Sequence, residues 1–496
     1  MTNYVVNKVI RGAIRPLTIG YAMGQWVLLA GLIVCLTGCK DQAAEVTPLS
    51  VADAANKNGV VDNWILTNMR DLYYWNDKIP ANPDTTLAPE IFFDSILNTY
   101  DATTNPTGDR FSWIEASAAD LQASLSGETT TTGMEYNLYL RSSGSDDIIA
   151  QVLYVLPGSP AEKAGIQRGD IISKVNGQLL TRTNYVDLLF GSTTTFTFGL
   201  ASVSGNSLVD TDLSKTVTAT VYQENPVFLD SVYSVGGKTV GYLVYNQFVP
   251  GANNSNANEY DAQLDAIFGD FKAKGVNELV LDLRYNPGGY TSSSANLASL
   301  IGKGVGAGKV YFREEWNTSI TPLLQEKYGD SFFVQNFLTK AQNIGGNLTR
   351  LFVLTTDQTA SASELIINGL RPYMSVITIG TTTYGKNVGS ITITDDSGQI
   401  PWGIQPIVFK SFNSAGQSDY STGFTPTIEV EEPLTLLPLG DTREALLSTA
   451  LGQLSGTAAP ARAGVRQANP LAGVGSSIQR KAGGGRMVKT MKMLHW

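Results

Sequence analysis

One histidine, His495, serves the whole chain of 496 residues, and it stands second from the end in a polar, Gly-rich stretch. A Ser-His-Asp triad, a Cys-His dyad and the common zinc sites all need an ordered imidazole, so the packed part of the chain must work without them. Cysteine is nearly as scarce. Cys35 and Cys39 are the only two, which leaves the domains neither a disulfide framework nor a Cys-rich metal cluster. Positive charge is also short, with 35 Lys and Arg against 44 Asp and Glu and a net charge of −9. That balance argues against nucleic acid as a partner, because phosphates are neutralised by a basic surface. Hydrolysis, if any, falls to Ser, Thr, Lys, Tyr or carboxylates, with no metal or organic cofactor implied. What the chain does have is length and an ordinary hydrophobic share of 43%, enough for several cores.

The first residues read as an address. Lys8, Arg11 and Arg15 precede an apolar run, Trp26 to Leu36, that closes on Leu36-Thr37-Gly38-Cys39. The pattern is that of a secretory leader, and the run is shorter than the roughly 20 residues of a spanning helix. Leu-Thr-Gly-Cys resembles the bacterial lipobox. The resemblance implies a leader at 1–38, lipidation of Cys39, and a tether at 39–50 that holds soluble domains at a membrane surface in the cell envelope, periplasmic or cell-surface.

Three regions follow. Residues 51–128 have helical spacing, with Ile65, Met69, Leu72 and Tyr73 in one segment and Ile91, Phe92, Ile96 and Leu97 in the next, separated by Pro80, Pro83 and Pro89. They predict a small helical N-terminal domain. Between 129 and 222 the period changes to strands, at Tyr136–Leu140 and Ile149–Val155. Pro160 suits the first turn of a helix that Gly165 ends. Gly169-Asp170 turns into a strand with Ile171, Ile172 and Val175, and Asn176-Gly177 closes a tight hairpin. The block from Pro157 to Gly177 resembles PDZ domains of bacterial proteases. The resemblance implies a β domain with two helices that adds a peptide C-terminus as a strand. Its carboxylate loop would be Gly133, Met134, Glu135 and Tyr136, with Tyr185–Phe190 on the groove's helix. Glu135 stands where a small residue is common. A domain that only packs on its neighbour is the other reading.

Residues 223–454 alternate strands (Val240–Tyr245, Leu279–Leu283, Leu351–Leu354, Val376–Ile379) with a helix marked by Tyr260, Leu264, Ile267, Phe268 and Phe271. Such alternation predicts an α/β core with a mixed sheet, whose sites gather at the carboxyl ends of strands. Residues 455–496 carry seven basic and no acidic residues among Ala, Gly, Ser and Pro, the composition of a disordered basic tail.

Three motifs lie where strands end. Ser361-Ala362-Ser363-Glu364 opens a helix after the strand at 351–354; its serine could be a nucleophile at the positive end of the helix dipole or an N-cap in a capping box. Lys386, between Gly385 and Asn387, could be a base if burial lowers its pKa, or a surface lysine on a turn. Asp282 to Gly289 ends in Asn286-Pro287-Gly288-Gly289, where adjacent glycines let backbone N–H groups approach a substrate oxygen.

Together these motifs resemble the carboxyl-terminal processing (tail-specific) peptidases, serine endopeptidases with a PDZ domain and a Ser/Lys dyad, over roughly 51–454. The resemblance implies Ser361 as nucleophile and Lys386, 25 residues on, as general base. It implies oxyanion donors from Ala362 and from Gly288 or Gly289. Many members place a glutamine four residues beyond the lysine to orient the amine. Here that residue is Ser390, so Ser390 or Ser363 would take the task. The expected activity is cleavage of extracytoplasmic proteins or peptides with accessible C-terminal segments. The alternative is a catalytically weak or inert peptide-binding lipoprotein.

Overall fold

The computed structural model describes residues 51–205, 207–252, 258–455, 469–481 and 487–490. The expected leader, Cys39 with its tether, and His495 lie outside these residues. No helix among them is long and apolar enough to cross a membrane.

The N-terminal region holds α1 (Val51–Leu72), α2 (Pro89–Ser95) and α3 (Ala118–Leu125). Pro89 begins α2, where its missing N–H costs nothing. Ile65, Met69, Leu72 and Tyr73 are buried as expected, but on α2 the inward residues are Phe92 and Phe93, followed by Ile96 just past its end, while Ile91 is 60% exposed. These side chains share one hydrophobic cluster with the α/β core, so the helical region is one wall of that core.

The PDZ domain contains β1 (Met134–Leu140), β2 (Ile148–Val155), the short α4 (Pro160–Lys163), β3 (Ile171–Val175), α5 (Tyr185–Phe190), β4 (Thr195–Ser204) and β5 (Ser207–Thr218). Ser159 caps α4 by accepting the Glu162 N–H, with Pro160 first inside. Asn176 and Gly177 both take positive φ, 50° and 80°, as a two-residue hairpin turn of this hand requires.

The core then runs β6 (Val227–Val235), β7 (Lys238–Tyr245), α6 (Glu259–Ala273), β8 (Glu278–Asp282), β9 (Gly289–Tyr290), α7 (Thr291–Ile301), β10 (Val310–Trp316) and β11 (Val334–Asn336). It continues with β12 (Arg350–Thr355), α8 (Ala362–Leu370), β13 (Ser375–Gly380), β14 (Val388–Ser390), β15 (Ile407–Asn413), β16 (Ile428–Glu429) and α9 (Ala445–Ser455). The main sheet has the order β6-β7-β8-β12-β13-β16; β6 and β7 are antiparallel and the remaining pairs parallel. Alternate residues of its strands face opposite layers. Leu243, Leu279, Leu281, Leu351 and Val353 join the cluster holding α6, α7 and α8, while Val240, Tyr242, Val280, Phe352 and Leu354 pack under Leu446, Leu447 and Leu451 of α9.

One expectation is overturned. The stretch assigned as a disordered tail contains β17 (Gly473–Ser476), α10 (Ser477–Arg480) and β18 (Met487–Val488). The first strand pairs with β1 at the edge of the PDZ sheet. The last sits within a second core sheet, of order β9-β18-β14-β15-β10-β11. Composition misleads here because the neighbouring edges, not the segment's own core, supply the partners.

Candidate active site

All three chemical motifs lie at the carboxyl ends of adjacent parallel strands: β8 runs into residues 283–290, β12 into 356–361, and β13 into 381–387. Parallel strands bring their carboxyl ends to one edge, so loops far apart in sequence meet there.

Ser361 is the N-cap of α8, with φ 64° and ψ −113°. A non-glycine residue in this region is strained by about 1–3 kcal/mol and must be held by its surroundings. The holder is Glu364, fully buried. Its Oε2 accepts the N–H of Ser361 (2.8 Å) and of Lys386 (2.8 Å). Its Oε1 accepts the Thr383 hydroxyl (2.6 Å) and the Gly385 N–H (2.7 Å). One carboxylate therefore fixes the backbones of the serine turn and the lysine loop together. Burial raises its pKa despite these four donors. The Ser361 hydroxyl oxygen is buried and has no hydrogen-bond partner among the described residues. The Lys386 side chain is also buried, with Nζ 4.8 Å from the centroid of the Phe111 ring.

The glycine turn is tied to the serine loop through Asn286. Its Nδ2 donates to the Tyr245 carbonyl (2.7 Å), and its own carbonyl accepts the Ala360 N–H (3.1 Å) and the Ser363 hydroxyl (3.0 Å). Its Oδ1 accepts the Gly288 N–H at 2.9 Å, so that amide is engaged inside the turn. Gly289 has φ 134°, and a Cβ there would lie 2.1 Å from the Phe248 carbonyl oxygen; only glycine fits. Ala362 opens α8, where the first amides of a helix have no intrahelical acceptor. As for the orienting candidates, Ser363 donates to Asn286, and the Ser390 hydroxyl donates to the Met487 carbonyl at 3.2 Å.

Behind the turn lies an ionic network that the sequence did not reveal. Arg284, 1% exposed, pairs with Asp282 (2.8 Å), Glu432 (2.9 Å) and Glu444 (2.7 Å). Tyr285, the next residue, donates to Glu432, and Arg168 of the PDZ domain reaches both, at 2.6 Å to the Tyr285 hydroxyl and 2.7 Å to Glu432. Although burial works against its charge, Glu444 is pulled down to about 2 by Arg284. The PDZ domain is thus wired to the residue that starts the glycine turn. Phe111, Thr383, Arg168, Glu432 and Glu444 left no local signal in the sequence. Glu364 did, as the far end of a capping box.

In the PDZ loop, Gly133 has φ 85°. Met134, Glu135 and Tyr136 are buried, and the Tyr136 N–H donates to the Ser477 hydroxyl at 2.9 Å. Among the described residues no cluster of His, Cys, Asp and Glu could hold a metal ion.

The model of the peptidase family S41 matches residues 239–430, that of the peptidase S41 N-terminal domain residues 60–113, and that of the PDZ domain residues 151–196. A carboxyl-terminal-processing protease from Picosynechococcus is 28% identical over 54% of this chain. The carboxy-terminal processing protease CtpA of Bacillus subtilis is 27% identical over 57% of it. The chain spans 57% and 54% of the lengths of these two relatives. A putative S41 protease of known structure from Bacteroides fragilis is 31% identical, with a TM-score of 0.64, and the match covers 79% of this chain and 97% of that one. With the helical region, the PDZ domain and the α/β core in one order and one fold, the chain belongs to peptidase family S41.

Proposed function

We propose that the protein is a serine endopeptidase in which Ser361 is the nucleophile and Lys386 the general base. The observation that carries this reading is the Glu364 carboxylate, which binds the backbone N–H of both residues and so holds the serine turn against the lysine loop. In the reaction, the unprotonated Lys386 amine takes the Ser361 proton as Oγ adds to the scissile carbonyl carbon. The oxyanion is held by the N–H groups of Gly289 and Ala362, because the Gly288 amide is engaged inside the turn. Collapse breaks the C–N bond, the leaving amine takes the proton from Lys386, and water then hydrolyses the acyl-enzyme. The step needs an unprotonated amine, and Lys386 lies buried beside the Phe111 ring. Ser390 and Ser363 remain the candidates for orienting it.

Substrates are proteins or peptides outside the cytoplasm, reached by an enzyme anchored through lipid on Cys39 and presented by the PDZ domain. The test is hydrolysis of casein together with fluorophosphonate labelling. Ser361→Ala should abolish both, and Lys386→Met should abolish hydrolysis. Unchanged hydrolysis in Ser361→Ala refutes the assignment. Replacing Cys39 by Ala should move the protein from the membrane to the soluble fraction.

A further inference from the structure

Strands of the C-terminal segment lie at the edge of the PDZ sheet and beside the glycine turn. On the PDZ side, β17 runs antiparallel to β1, pairing Gly473 with Tyr139, Gly475 with Leu138 and Ser476 with Asn137. It therefore heads towards the loop at Gly133–Tyr136, the direction of an added PDZ ligand. At the place where such a ligand ends in a carboxylate, this segment has Ser477. Its hydroxyl accepts the Tyr136 N–H and donates to Glu135, and the chain continues. Ile478 is buried with Leu153, Tyr154 and Tyr285, and the Arg480 guanidinium lies 4.4 Å over the Phe190 ring of α5. Lys481 ends this stretch between two carboxylates, 2.8 Å from Glu135 and 2.8 Å from Glu224.

On the catalytic side, β18 fills the gap between the glycine turn and the strand after Lys386. Met487 pairs with Gly289, and Val488 with both Tyr290 and Ser390. The Lys489 N–H donates to the Ser390 carbonyl at 2.9 Å. The Lys489 ammonium reaches Glu314 at 2.7 Å and lies 4.0 Å from the centroid of the Phe332 ring. Met487 and Val488 are buried. A strand in this place touches the proposed oxyanion glycine on one side and Ser390 on the other.

Two features of these contacts bear on substrate choice. A free C-terminal carboxylate placed at the Tyr136 N–H would meet the Glu135 carboxylate, and like charges there oppose binding. A lysine is instead welcomed at three buried acids, Glu135, Glu224 and Glu314. We propose that these acids are subsites for two lysine side chains of an internal peptide segment, and that the chain's own C-terminal segment fills them in the resting enzyme. The proposal rests on the peptidase reading and deepens it: the resting molecule is latent, and substrates are internal lysine-bearing segments that displace a resident strand.

The test uses the full chain and two fluorescent synthetic peptides. One has the sequence of residues 471–490, and the other the same sequence with Lys481→Glu and Lys489→Glu. Each is titrated by fluorescence polarisation against wild type and against a full-length variant carrying both substitutions in its own tail. The unsubstituted peptide should bind the variant at least about tenfold more tightly than it binds wild type, and at least about tenfold more tightly than the substituted peptide does. Casein hydrolysis should rise several-fold in the variant. A third chain, Glu314→Lys, repels its own Lys489 and should bind a third peptide, with Lys489→Glu alone, at least about tenfold more tightly than the unsubstituted peptide. That exchanged preference decides the matter if the doubly substituted chain loses its melting transition, and its absence overturns the proposal. Equal affinity of the two peptides for the variant, or of the unsubstituted peptide for wild type and variant, overturns the proposal. If the binding pattern appears and no chain cleaves casein, the subsites stand and the peptidase reading alone falls.

Discussion

Two buried polar centres flank the glycine turn, and they are built on opposite plans. Around Glu364 a single carboxylate is met by backbone amides and one hydroxyl, with partners at 3, 19, 21 and 22 residues' separation. Around Arg284 three carboxylates and a second arginine form an ionic lattice whose members lie 148, 160 and 264 residues apart. The first is a local clamp that sets the positions of two backbone turns. The second is a long-range joint between the PDZ domain, the glycine turn and the start of α9. Their acid chemistry also differs in sign, because burial raises Glu364 while arginine lowers Glu444.

The widest gap between the two should come from Arg284→Met. It leaves Asp282 and Glu444 buried without their cation, a loss of roughly 3–5 kcal/mol, read as a fall in the urea midpoint. Next is the pH dependence of the joint. Glu444 has its folded pKa depressed from 4.5 to about 2, so its contribution is present above the unfolded value and lost as pH falls through that window. Glu444→Gln should cost roughly 2–4 kcal/mol at pH 7, and the difference from wild type should close as pH falls from 4.5 towards 2. The clamp should behave otherwise. Glu364→Gln turns an acceptor into a donor facing donors, costing about 2 kcal/mol of stability and, by loosening the serine turn, on the order of 100-fold in kcat. Arg168→Met tests whether the joint transmits position. Activity should fall about tenfold with a smaller loss of stability than Arg284→Met, since Arg168 leaves Arg284 in place to neutralise Glu432.

A third buried acid has neither kind of support and serves as the control. Both oxygens of Asp62 are buried without a hydrogen-bond partner among the described residues, and burial, helped by Asp84, raises its pKa to about 7. A raised acid is best tolerated below its unfolded value of 3.8, and stability declines as pH rises towards 7. Asp62→Asn should therefore stabilise the protein by about 1 kcal/mol at pH 8 and have little effect at pH 4.

The sequence was most readable where chemistry is local. Asn176-Gly177, Pro160 and Gly165 mark their turns by their own backbone preferences, and the strands ending near 282, 354 and 379 were visible as apolar runs. Because those strands are parallel neighbours, their ends brought Ser361, Lys386 and Gly289 to one edge. Glu364 was visible only as a cap; its grip on the lysine loop needed the fold. Arg168 and Glu432 were invisible, since no local pattern links residues 264 apart. On α2 the expected inward face included Ile91, yet the core took Phe93, about 200° further round the helix, a phase that period alone does not fix. The tail misled for a different reason: a Gly- and Ser-rich segment whose described residues bury three apolar side chains, Ile478, Met487 and Val488, can be held by edges that its own composition does not announce.

The strand order β9-β18-β14 has a geometric consequence. With neighbouring strands about 4.8 Å apart, the walls formed by β9 and β14 stand roughly 9.6 Å from each other, the width of one extended chain. A helix, about 10–12 Å across with its side chains, does not enter such a slot, and neither does a hairpin. Whatever replaces β18 must arrive as a single unfolded strand. On the peptidase reading proposed above, the rate of cleavage should then follow how readily each candidate substrate locally unravels.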